Sequence, residues 1–90
     1  MGGCFATDKI TVEGMNVGYM YIEQPDFDSD SGWRFFSGTE SQAYVDNPDN
    51  TSFFSVNTIA NYDPAIIPYL DNSIGSELER REGTKEFKEI

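Results

Sequence analysis

Apolar residues follow two periods along this chain, and the change between them sketches the fold. The segment NVGYMYIEQ (16–24) alternates, is rich in β-branched and aromatic residues, and stops at Pro25, which predicts a strand. Val17, Tyr19 and Tyr21 fall on one of its faces, Met20 and Ile22 on the other. Apolar residues on both faces predict a central strand covered on both sides. GWRFFS (32–37) reads as the next strand, with Trp33 and Phe35 on one face and Arg34 and Phe36 on the other. Residues 25–31 then make a long hairpin loop. CFA (4–6) predicts a short strand, and KITVEG (9–14) either a strand or an extended turn.

Helical spacing takes over later. Phe53, Val56 and Ala60, with Ile59 beside them, predict a helix within SFFSVNTIANYDP (52–64). TESQAYVDN (39–47) predicts a short helix with Thr39 as its cap and Pro48 as its stop, and NPDN (47–50) a turn. In DPAIIPYL (63–70), Asp63 is a natural N-cap and Pro64 takes the first helical position. Pro68 removes a hydrogen bond from that element, which keeps it short and partly 3₁₀. The tail (75–90) admits two readings. SELE (76–79) fits a capping box and so a helix, whereas EG (82–83) suggests a tight turn between two strands. That turn sets Leu78 opposite Phe87, but it also opposes Glu79 to Glu86. The hairpin is the favoured reading. The sum is an α+β fold in one domain, 1–90: an antiparallel sheet with two or three short helices against it.

Charge narrows the functional classes. The chain has 16 acids against 6 bases and no histidine, a formal net charge of −10. Between Ile10 and Tyr69 the only basic residue is Arg34. Such a field repels nucleic acid and anionic membranes, and it attracts basic protein partners and speeds their association. The N-terminal MGGCFATDKI has no long apolar run, so no signal peptide is read, and no segment is apolar enough to span a membrane. The lone Cys4 cannot staple its own chain and reads as a small buried residue of a strand, consistent with a reducing, cytoplasmic setting.

The candidate chemistry is mostly exclusion. Without histidine there is no Ser-His or Cys-His pair, and neither a P-loop nor GxGxxG occurs. The chain is read as a non-enzyme with no cofactor. DFDSDSGWRFFSG (26–38) invites a calcium reading, because Asp26, Asp28 and Asp30 alternate like the first ligands of an EF-hand. The sixth position is Ser31 where glycine is needed, and the twelfth is Ser37 where a bidentate glutamate is needed, so no metal site is assigned. The segment reads instead as an acidic loop, DFDSDS, feeding the strand GWRFFSG. Arg34 is expected to pair with a carboxylate near the sheet.

The blocks DKITVEGMNVGYMYIEQPD, DSGWRFFSG, DNPDN, NTIANYDPAIIPYLD and GSELER together resemble the immunity-protein thirty-three-like family of small bacterial proteins. The resemblance runs from about Cys4 to Ile90, and SGWRFFSG and NYDP are its most specific parts. It implies a cytoplasmic binding protein that neutralises a toxin domain, with no catalysis and no cofactor. Its motif residues Trp33, Arg34, Tyr62, Asp63 and Pro64 serve either the fold or the partner.

Two functions remain in view. In the first, an acidic face caps a basic toxin domain, and the candidate contact residues are Asp26, Asp28, Asp30, Trp33, Arg34, Asp49, Tyr62 and Asp63. In the second, the chain is a small structural or ligand-binding module whose acidity serves solubility.

Overall fold

Cys4 and Ala6 are small enough to lie under a helix, and Phe5 between them points the other way. This alternation makes β1 (Gly3–Thr7), which lies inside the sheet. The computed structural model describes residues 2–90; Met1, the first residue of the expected span, lies outside them. The remaining strands are β2 (Tyr19–Ile22), β3 (Asp30–Phe36), β4 (Thr51–Ser55), β5 (Glu77–Arg80) and β6 (Phe87–Glu89). They form a six-stranded sheet in the order β4-β1-β3-β2-β5-β6. The helices are α1 (Asp8–Thr11), α2 (Gln42–Asp46) and α3 (Val56–Tyr62), with 3₁₀ segments at Pro48–Asn50 and Pro64–Tyr69.

The fold is α+β, but the sheet is mixed. β1 and β3 run parallel, and every other neighbouring pair is antiparallel. Hairpin logic along the chain cannot foresee this. After β1 the chain crosses through α1, lays down β2 two places away, and returns with β3 in the gap.

Several local expectations are corrected by side-chain chemistry. KITVEG is not extended: residues 8–11 form a single helical turn that buries Ile10, with Asp8 O accepting from Val12 N–H and Glu13 N–H. The helical spacing in 52–64 begins only at Val56. Ser55 is the N-cap, accepting from Thr58 N–H, and the residues before it form β4, with Phe54 against the core and Phe53 on the opposite face. The cap of α2 is Ser41, not Thr39. The expected cap at Asp63 is present: its Oδ1 accepts from Ala65 N–H, and the whole of Pro64–Tyr69 is 3₁₀.

The C-terminal hairpin forms, with a longer loop and a different register. Leu78 pairs with Glu89, Glu79 with Lys88, and Arg80 with Phe87. Relative to a turn closed at residues 82–83 this is a shift of two. A shift of two keeps Leu78 and Phe87 on the buried face, whereas a shift of one would expel them. It also replaces the Glu79–Glu86 opposition with a Glu79–Lys88 pair.

The core lies on one face of the sheet only. Met20, Ile22, Trp33, Phe35 and Leu78 pack there against Ile10, Val56, Ile59 and Ile66 of the helical layer. Cys4 is buried among them, and burial pushes its thiol up to about 12. β2 is interior to the sheet as expected, but it is covered on one side only: Tyr19 and Tyr21 on its other face remain half-buried.

Candidate functional site

The acidic loop and the strand after it are tied together by one side chain. Asp30 begins β3, and its carboxylate is wholly shielded from solvent. It accepts from Asp26 N–H at 3.0 Å, from Gly32 N–H at 2.9 Å, and from Arg34 Nη1 and Nη2 at 2.9 Å each. A fork of this kind is the strongest neutralisation a carboxylate can receive from a side chain. The local backbone makes it possible. Gly3 pairs with Asp30 and Phe5 with Arg34, so a short step of β1 faces a longer one of β3, and β3 bulges between them. Gly32 occupies the bulge with φ +95°, and a Cβ there would sit 2.2 Å from Glu23 O. Gly32 thus lets β3 approach the β2 backbone closely at the bulge, and Arg34 folds back along the strand to Asp30.

Arg34 also donates through Nε to Glu23 Oε2 at 2.7 Å, lies 3.7 Å from Asp26 Oδ2, and stacks over the Phe5 ring at 4.8 Å. The Arg34 hydrogen bonds are the main cause that holds the Asp30 carboxyl far below its ordinary value, and they outweigh the burial that would raise it. One cation therefore serves three carboxylates, and the cluster stays net negative.

Beyond Arg34 the outward face of the sheet is aromatic and only partly covered. Tyr21 stacks on Phe36 with ring centres 5.9 Å apart, and Tyr19 lies 5.8 Å from each of them. Phe53 packs edge-on to Phe5 at 5.1 Å and meets Phe27 of the acidic loop at 5.2 Å. Gly3 leaves the space for this ring, since a Cβ there would lie 1.9 Å from Phe53. Carboxylates border the aromatic surface. Glu77 and Glu79 pair with Tyr21 and Tyr19 across β5, and Glu77 Oε1 accepts from the Tyr19 hydroxyl at 2.7 Å. Burial, and then this acceptor, push the Tyr19 hydroxyl up to about 12, so it stays a donor. Two adjoining clefts of about 810 and 320 Å³ run along the face and share Phe36 and Val45 of α2 as lining residues.

The sequence-derived candidates divide among separate places. Asp26 and Asp28 are exposed in the loop beside the half-exposed Phe27, while Asp30 and Arg34 are buried and bound to each other. Asp30 is thus not part of an exposed rim: its carboxylate is consumed by the strand. Trp33 is 2% exposed and stacks on Phe35 inside the core, so it offers no surface to a partner. Asp49 is exposed in the 3₁₀ turn, its N–H bound to Asn47 Oδ1. Tyr62 is exposed on the helical side, away from the aromatic face, and Asp63 beside it is buried, accepting from Val17 N–H and Arg80 Nη2.

Tyr19, Tyr21, Phe36, Phe53, Glu77 and Glu79 were not among the candidates. Alternation sets the two tyrosines on one face, as found, but it also sets Val17 there, which is buried in the core, and it does not show that the face is only partly covered. Among the described residues no group of three or more acids, cysteines or histidines is placed to hold a metal, and no helix is long and apolar enough to cross a membrane.

Among known families, the immunity protein Imm33 domain matches residues 4–90. Neither a curated protein nor a solved structure matches the chain.

Proposed function

The chain belongs to the Imm33 immunity-protein family, and on that premise we propose that it acts as one domain, in the bacterial cytoplasm, to neutralise a basic toxin domain by covering it. The observation that carries this reading is the partly exposed aromatic sheet face bordered by carboxylates. Aromatic rings supply large, rigid contact area, and such residues are enriched where partners anchor. Asp26, Glu77 and Glu79 around them meet little opposing charge, whereas Glu23 is paired with Arg34. Arg34 is already committed to Asp30 and Glu23, and Lys88 reaches Glu79 only at 3.9 Å. Asp26 and Asp28 extend the negative surface at the loop, with Phe27 as an exposed anchor between them.

The mechanism is steering followed by occlusion. The negative field raises the encounter rate with a cationic surface, and aromatic contact then slows release. Inhibition of this kind needs no chemistry from the immunity protein.

Co-expression with the domain encoded by the neighbouring gene tests the proposal. The expected result is that growth arrested by that domain is restored by this chain, and that the two co-purify as a stoichiometric complex. A neighbouring product that is not toxic, or whose toxicity is unchanged, contradicts it.

A further inference from the structure

The larger cleft on the outward face carries a narrower inference, which rests on the binding reading above. Tyr19 and Phe36, whose ring centres lie 5.8 Å apart, line it together with Val45 of α2. Glu79 and Glu82, both exposed, line it as well. Glu40 also lines it, but its carboxylate is already fixed, with Oε2 accepting from Thr7 Oγ1 and Ser37 N–H and Oε1 from Gly38 N–H.

The one basic residue lining this cleft is Arg80, and each nitrogen of its guanidinium already donates a hydrogen bond within the chain. It donates to Val17 O, Thr84 O and Asp63 Oδ2 and lies over the Phe87 ring at 4.8 Å. The cleft therefore combines aromatic faces with carboxylates that no internal guanidinium reaches. We propose that it receives an arginine side chain presented by the basic partner, stacked on Tyr19 and Phe36 and paired with Glu79 and Glu82.

Arginine fits better than lysine for a geometric reason. A planar guanidinium can lie flat on a ring while its edge donates to a carboxylate, and it is more weakly hydrated than an ammonium. The chain makes this arrangement twice within itself. Arg34 lies over Phe5 and is paired with Asp30, and Arg80 lies over Phe87 and is paired with Asp63. The cleft supplies the same two halves, ring and acid, without a guanidinium; the cation near its acids is the exposed Lys88, 3.9 Å from Glu79.

The test uses the ¹⁵N-labelled full chain titrated with a terminally blocked Gly-Arg-Gly peptide, with citrulline and lysine versions as controls. The expected result is saturable shifts of the amides of Tyr19, Phe36, Gly38 and Glu79, half-saturating at millimolar peptide. Citrulline, which keeps the shape but not the charge, should weaken binding about tenfold or more, and lysine severalfold. The Glu79→Gln/Glu82→Gln variant alters two exposed side chains and keeps the native spectrum; it should weaken the arginine peptide severalfold.

Shifts confined to residues 26–29, equal binding of the citrulline peptide, or no saturable shift in the cleft up to about 50 mM would overturn the assignment. Full neutralisation of the toxin domain by this variant, with an unchanged complex lifetime, would also overturn the arginine assignment while leaving the immunity reading intact. Failure of the immunity reading is seen separately, as no neutralisation by the wild-type chain.

Discussion

Asp30 and Arg34, four residues apart on one strand, hold each other through two hydrogen bonds of 2.9 Å, and both side chains are buried. The pair fixes the acidic loop to β3, because the same carboxylate accepts from Asp26 N–H. It also leaves Asp26 and Glu23 as the more exposed acids of the cluster. The loop can present charge to a partner because one of its aspartates has been withdrawn to anchor it.

Asp30→Asn should therefore be costly to the fold. It leaves the Arg34 guanidinium with Glu23 as its close remaining partner, and breaking a buried pair in this way costs about 3 kcal/mol. The Asp30 carboxyl is held below its ordinary value, so the stability it contributes is full above about pH 4 and is lost as pH falls toward the depressed folded value. Urea unfolding from pH 6 down to pH 2 checks both points. The wild-type chain should lose more stability on acidification than Asp30→Asn, and the gap between the two curves should narrow toward pH 2.

Asp63 is the second internal anchor. It caps the 3₁₀ segment through Ala65 N–H, accepts from Val17 N–H, and takes the Arg80 guanidinium, thereby joining the helical layer to the start of β2 and to β5. A double-mutant cycle of Asp63→Asn and Arg80→Gln should give a coupling energy of about 1.5 kcal/mol or more, well above the value for an exposed ion pair. Denaturant midpoints of the four proteins supply the measurement. Additive effects would show that the two side chains act independently.

Two glycines should respond differently to the same change. At Gly18 a Cβ would meet Ser37 O at 2.0 Å, a backbone atom that cannot swing aside, so Gly18→Ala should cost about 3 kcal/mol. At Gly83, in the β5–β6 loop, φ is +75° but nothing lies within 4 Å of the added atom. Gly83→Ala should cost only the backbone penalty, about 1 kcal/mol. Thermal melts of both variants rank them, and the reverse order would contradict the close approach at Gly18.

What was legible in the sequence was what local rules govern. The strand at GWRFFS, the Asp63–Pro64 helix start and the C-terminal hairpin follow from alternation, capping and turn chemistry. β4 was hidden because Phe53 matched the helical period of Val56 and Ala60, although Phe53 and Phe54 lie on opposite faces of a strand that ends at the Ser55 cap. The parallel β1–β3 pairing depends on a crossover that no local pattern encodes. The candidate site was half legible. The aspartates drew attention to the loop, but Asp30 is taken up by Arg34 and Trp33 points into the core, and the aromatic face arises only when Phe5, Tyr19, Tyr21, Phe36 and Phe53 come together from four strands.

The central claim is tested most directly by the association rate with the neighbouring toxin domain, measured by stopped flow across a salt series. Wild-type chain is compared with a variant carrying Asp26→Asn, Asp28→Asn, Glu77→Gln and Glu79→Gln, all exposed positions. Steering predicts that the wild-type rate falls about tenfold or more between about 0.05 and 0.5 M salt, and that the variant is slower at low salt with a flatter dependence. Equal rates with equal salt dependence for the two proteins, or no complex at any salt concentration, would contradict an acidic face that recognises a basic toxin.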